Sequence, residues 1–211
     1  MARRYNRLNE RKPLIVICSE GGKKSSEYYY FRNYSSRNLR IQFSTGNNTD
    51  PIGMLEDLIK YIHNEDIQSE DNARIFLVLD TDLDTKRISE IKEIQQRCKE
   101  YDIEIITSPP TLEIWYLMHS RSNKLKFATS KDVKRELEKI NGTYSETMNM
   151  YNKIKNQTDY ARSTAQSIEQ QIIKDGNELL KSNPHSSIYK ILDAIDDFNK
   201  MWYQGGILIW V

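Results

Sequence analysis

Arg74-Ile75-Phe76-Leu77-Val78-Leu79-Asp80-Thr81-Asp82-Leu83-Asp84 decides the fold, because a run of apolar, strand-favouring side chains stops there at three alternating carboxylates. Unbroken apolar runs, as opposed to alternating ones, belong to strands covered by helices on both faces, as inside a parallel α/β sheet. Sites in such sheets form at the carboxyl ends of the strands. Asp80 and Asp82 share side-chain parity while the chain stays extended, and two carboxylates aimed at one point repel unless a cation lies between them. An Asp-x-Asp in this position is a candidate site for a hard divalent cation, magnesium with part of its water shell being the simplest. The same residues also suit an acidic turn in which Asp84 caps the next helix.

Upstream, Leu14-Ile15-Val16-Ile17-Cys18 repeats the pattern and runs into Ser19-Glu20-Gly21-Gly22, ahead of a helix-compatible stretch over 25–33. The glycines permit a tight turn, Ser25 or Ser26 suits the helix cap, and a helix start there favours an anion such as phosphate. Glu20 also reads as an ordinary loop carboxylate. Residues 39–44 alternate and predict a strand near a sheet edge. Ile52, Leu55, Leu58, Ile59 and Ile62 recur at helical spacing behind Asp50 and Pro51, which suit the cap and first turn. Beyond the acidic strand, Ile88, Ile91, Ile94 and Cys98 mark a helix to about Tyr101, and 103–107 forms a fourth strand. Four strands alternating with helices imply right-handed crossovers and a mainly parallel sheet. Glu20 and the Asp80/Asp82 pair then share a rim if their strands are neighbours.

Ser108-Pro109-Pro110-Thr111 opens a further helix on that rim, with Glu113 in its first turn. Glu113 reads either as a carboxylate favoured by the helix dipole or as one more acid beside the cation. His119, on the same apolar helix, reads as a packed histidine or as a proton donor or phosphate contact. From 121 onward the chain turns polar and helical, with helices predicted near 130–140, 144–157, 159–181 and 186–201. Tyr144, Tyr151, Lys153, Lys155, Tyr160 and Arg162 interleave rings and cations, a pattern that suits a nucleic-acid backbone as well as an ordinary amphipathic surface. The apolar tail over 205–211 is too short to span a bilayer and suits an added edge strand.

Composition narrows the function classes. Lys and Arg number 31 against 30 Asp and Glu, so bulk charge does not drive nucleic-acid binding and a local patch must do so. Arg3, Arg4, Arg7, Arg11 and Lys12 supply one candidate, which also reads as a solvated terminus. Cys18 and Cys98 lack a metal-type spacing, and with no signal peptide or apolar run of transmembrane length the expected location is the cytoplasm. A single domain is expected over 1–211, with a basic segment at 1–12, an α/β core at 13–120 and a helical extension at 121–211.

In order and spacing, the early arginines, Cys18-Ser19-Glu20-Gly21, Tyr30-Phe31, Asp80-Thr81-Asp82, Ser108-Pro109-Pro110 with Leu112-Glu113-Ile114-Trp115, and His119 resemble the RloB-like family, a Toprim-related group. Tyr151-Asn152-Lys153 and Asn183-Pro184 extend the likeness more weakly. The family usually carries Asn-Pro, a small residue and Phe-Glu where this chain has Pro109-Pro110-Thr111-Leu112-Glu113, and its loop after Glu20 is less basic than Gly22-Lys23-Lys24-Ser25-Ser26-Glu27.

The resemblance implies a Toprim-like α/β fold and a Mg2+- or Mn2+-dependent nuclease of bacterial phage defence. Such proteins are often paired with an ATPase, as in AbiL-type abortive infection. It implies Glu20, Asp80 and Asp82 as metal ligands, and Glu113 as a further acid. His119, Lys153 or the N-terminal arginines would then neutralise the phosphate. Arg3, Arg4, Arg7, Lys23 and Lys24 would meet DNA or RNA. Two other functions fit the motifs: a haloacid-dehalogenase-type phosphatase with Asp80 as nucleophile, and a non-catalytic nucleotide- or nucleic-acid-binding subunit that signals to an ATPase. Homo-oligomerisation is left open by the sequence.

Overall fold

A computed structural model describes residues 12–44, 46–67, 72–120 and 126–203. Four strands, β1 (Leu14–Cys18), β2 (Arg40–Phe43), β3 (Ala73–Leu79) and β4 (Ile103–Thr107), form one sheet in the order β2-β1-β3-β4. Every pairing is parallel. Helices α1 (Ser26–Phe31), α2 (Pro51–Asn64) and α3 (Thr85–Glu100) make the crossovers, and α4 (Glu113–Met118) follows β4. The C-terminal part adds α5 (Ser130–Asn141), α6 (Tyr151–Ile154), α7 (Thr158–Lys174) and α8 (Tyr189–Tyr203). This arrangement is compatible with a Toprim-like fold.

The side-chain alternation of the central strands builds two cores. Leu14, Val16 and Cys18 of β1 join Ile75, Leu77 and Leu79 of β3 against α2 and α3. Ile15 and Ile17, with Phe76 and Val78, face the other way into a cluster that includes Trp115, Tyr30, Leu137 and Leu192. Fully burying one side chain of this kind stabilises the fold by about 1.5–3 kcal/mol, which fixes the register of both strands. The two cysteines are free and buried, and burial pushes both thiols up to about 11.

Caps follow the sequence closely. Asp50 accepts from Gly53 N at 2.8 Å ahead of Pro51, and Asp84 accepts from Arg87 N at 2.8 Å. Asp84 therefore caps α3, while Asp80 and Asp82 remain on the rim. Three predicted helices are revised. The stretch 144–157 is helical only from Tyr151, because Gly142 at φ 87° turns the chain after α5 and Tyr144 is drawn to Glu113 of α4. The predicted helix over 159–181 ends at Lys174, where Gly176 takes a positive φ of 70°. The last helix begins at Tyr189, not 186, because Ser187 N donates to Thr107 O and Ser187 Oγ accepts from Thr107 N. Ser187 thus sits against the last residue of β4, with Ser186 beside Ser108 just beyond it. Among the described residues no helix is long and apolar enough to cross a membrane. The tail over 205–211 and the segment carrying Arg3, Arg4 and Arg7 lie outside the described residues.

Candidate active site

Register places the acidic ends of two neighbouring strands side by side. Cys18 of β1 is level with Leu77 of β3, so Glu20 and Asp80 leave the sheet on the same rim. A cavity of about 410 Å3 opens there, lined by six carboxylic residues, Glu20, Glu27, Asp80, Asp82, Glu113 and Glu146, together with Lys134.

Asp80 continues the parity of Phe76 and Val78 and turns towards the α1 and α4 side. Its Oδ2 accepts from Thr111 Oγ1 at 2.9 Å, and its Oδ1 is buried with no hydrogen-bond partner. The same Thr111 hydroxyl donates to Glu113 Oε2 at 2.6 Å, one hydrogen serving two carboxyl groups. Glu113 is 3 % exposed, and its Oε1 accepts from Tyr144 Oη at 2.6 Å. Burial holds Asp80 well above the usual carboxylate range, and the charges of Glu27 and Glu113 push it further. Glu27, in the first turn of α1, is raised to about 7 by burial, against hydrogen bonds from its own backbone and Ser25. Carboxyls in such surroundings stay neutral or find a cation.

Lys134 of α5 bonds Glu146 and stands 3.9 Å from Glu113 Oε1. Burial pulls its ammonium down, but Glu146 and Glu113 outweigh this and leave it above the ordinary lysine value. Tyr144 is raised by burial and by the charge of Glu113, so it acts as a hydrogen-bond donor. Ser26 Oγ lies 3.0 Å from Tyr144 Oη and donates to Glu146 O at 3.2 Å, holding the stretch after Gly142 over the acids.

The outer acids are arranged otherwise than extended parity suggests. Asp82 and Leu83 adopt positive φ values of 48° and 56°, so the strand geometry ends after Asp80. Asp82 is exposed and its Oδ1 accepts from Ser130 Oγ at 2.6 Å. Glu20 is engaged by Arg87, whose Nη2 donates to Glu20 Oε2 at 2.8 Å. Among the described residues, no three His, Cys, Asp or Glu side chains converge in a metal-holding group.

Two expected participants lie elsewhere. His119 is buried at the end of α4, its Nδ1 2.9 Å from Trp115 O and its ring edge-on to Trp115 at 4.8 Å. Burial pushes it down to about 4, so it is neutral at pH 7, and it does not line the cavity. This is the packed histidine of the alternative reading. Lys153 is exposed on α6 and is likewise absent from the cavity wall. Lys23 is exposed on the turn between β1 and α1, beside the rim; the side chain of Lys24 is outside the description.

Sequence reading set Thr111 on the rim only as part of the loop that opens α4, and did not find Glu27, Tyr144, Lys134 or Arg87 as parts of this site. Glu27 had a local signal, an acid in the first turn of the helix that follows Glu20-Gly21. Tyr144 had only its place in the interleaved rings and cations after 143, which does not point to Glu113, and Lys134 had none, since both reach the rim from beyond α4.

Hard oxygen donors predominate here, and the unpartnered Oδ1 of Asp80 is a lone pair in want of a proton or a cation. Such donor chemistry fits magnesium or manganese. The fold and the rim define a parallel α/β protein with a carboxylate-rich cleft at a strand-end position. The RloB-like protein family profile matches residues 15–195, and the chain belongs to that family. No curated protein and no solved structure matches it.

Proposed function

We propose that the chain is a metal-dependent phosphodiesterase, a nuclease that cleaves DNA or RNA. The observation that carries this reading is the buried Asp80, its Oδ1 unpartnered beside Glu113 and Glu27 at the carboxyl rim of a parallel sheet. Asp80 and Glu113 would hold Mg2+ or Mn2+, with Asp82 and Glu20 as outer carboxylates. When bound, the cation supplies Lewis-acid polarisation of a phosphoryl oxygen and a more acidic water. Thr111 and Tyr144 fix the orientation of the two inner carboxylates through the hydrogen bonds at 2.9, 2.6 and 2.6 Å. Lys134 is the cation of the cavity wall suited to charge building on a phosphate, in place of His119 and Lys153. Lys23 offers a contact to the strand entering the cleft.

A role in phage defence beside an ATPase partner, of the AbiL type, is part of the proposal and rests on the family likeness and its Toprim relationship. The test is a screen of single- and double-stranded DNA and RNA with Mg2+ or Mn2+, with and without that partner, comparing the parent with Asp80→Asn and Glu113→Gln. Cleavage by the parent and its loss in both folded variants is the expected result. Undiminished cleavage by both variants would overturn the assignment.

A further inference from the structure

Arg87 ties together three loops of the rim. Its Nε donates to the Asp80 carbonyl at 2.5 Å, its Nη1 to the Thr49 carbonyl at 3.0 Å and its Nη2 to Glu20 Oε2 at 2.8 Å. Two of the three acceptors are backbone groups, and the Arg87 side chain is 16 % exposed against 46 % for Glu20. The guanidinium is therefore fixed whether or not Glu20 is present, and Glu20 is the partner free to leave.

Geometry accounts for the side on which Glu20 is held. Glu20 lies in the turn after β1, and Arg87, in the first turn of α3, draws its carboxylate towards that helix. Asp80 follows Phe76 and Val78 to the opposite face. This charge-assisted bond occupies Oε2 and orients the whole carboxylate, so Glu20 must weaken it before the side chain can swing towards a metal ion beside Asp80. We propose that Arg87 is a positioning residue that keeps Glu20 away from Asp80 and Asp82, so that divalent-cation binding at the rim is weaker with Arg87 than without it. The inference rests on the reading of the rim as a metal site.

Calorimetric titration with Mn2+ alone tests it on the parent, Arg87→Gln, Glu20→Gln and the double variant, each first shown to be folded. Arg87→Gln is expected to bind Mn2+ about fivefold more tightly than the parent, the scale of one partly exposed ion pair. The gain is expected to vanish in the Glu20→Gln background, because the restrained group is then gone. An equal gain in that background would show only the lost positive charge acting through space, and would overturn the inference. Weaker, unchanged or undetectable binding by Arg87→Gln would also overturn it. If Arg87→Gln does not fold, the same cycle is run with Arg87→Lys, whose single ammonium cannot serve three acceptors. A gain that disappears in Glu20→Gln again supports the restraint, and no gain rejects it. Asp80→Asn in the parent separates the two levels: unchanged Mn2+ binding there defeats the metal reading itself, whereas its loss leaves that reading standing whatever Arg87 does.

Discussion

Tyr144 donates a hydrogen bond of 2.6 Å to the buried Glu113 from 31 residues further along the chain. The contact joins the irregular stretch after α5 to the first turn of α4, and it aligns one of the two inner carboxylates. Tyr144→Phe removes the donor and leaves a buried carboxylate oxygen with only the more distant Lys134. The expected loss is about 1–3 kcal/mol, read from urea unfolding of the two proteins. A difference below about 0.5 kcal/mol would mean that water replaces the phenol without cost.

Glu27 gives the metal-free protein a pH dependence whose sign follows from its raised value of about 7. Below the unfolded carboxyl value, near 4.5, it is protonated in both states and costs nothing. As pH rises the unfolded chain loses the proton first, so stability falls until the folded group also titrates. The fall amounts to roughly 3 kcal/mol between those limits. Asp80, raised in the same direction, adds to it. Urea unfolding in a chelator from pH 4.5 to 7.5 should show a shallower decline for Glu27→Gln than for the parent; parallel declines would place the titration elsewhere.

Lys134 stands between Glu146 and Glu113 on the wall of the cavity. If it meets the phosphate, Lys134→Met lowers the single-turnover cleavage rate by about a hundredfold. Lys134→Arg should recover part of the rate, since the charge is kept while its geometry changes. A rate lowered less than threefold in Lys134→Met would confine the residue to pairing with Glu146.

The sheet was legible because its strands are sequence-local and covered on both faces. Leu14-Ile15-Val16-Ile17-Cys18 and Ile75-Phe76-Leu77-Val78-Leu79 leave no other place for their side chains, and both proved central and adjacent. The caps at Asp50 and Asp84 were equally local. What the sequence concealed is where extended geometry stops. Asp80 and Asp82 have matching parity on paper, but the positive φ at Asp82 separates their roles. Long-range recruitment was hidden for a related reason: nothing near Tyr144 or Lys134 announces a carboxylate partner supplied by α4. His119 has motif-like company in Leu112-Glu113-Ile114-Trp115, yet its Nδ1 is spent on the Trp115 carbonyl of its own helix and its Nε2 is buried away from the cavity.

The two thiols have a practical consequence for following the rim in solution. Cys18 and Cys98 are the chain's only cysteines, and both are buried with values near 11, so neither offers an appreciable thiolate at neutral pH. The native fold is thus a silent background for maleimide chemistry. A cysteine introduced at exposed Lys23 would be the one position labelled, giving a spectroscopic reporter beside the cleft without first stripping the chain of its own sulfur.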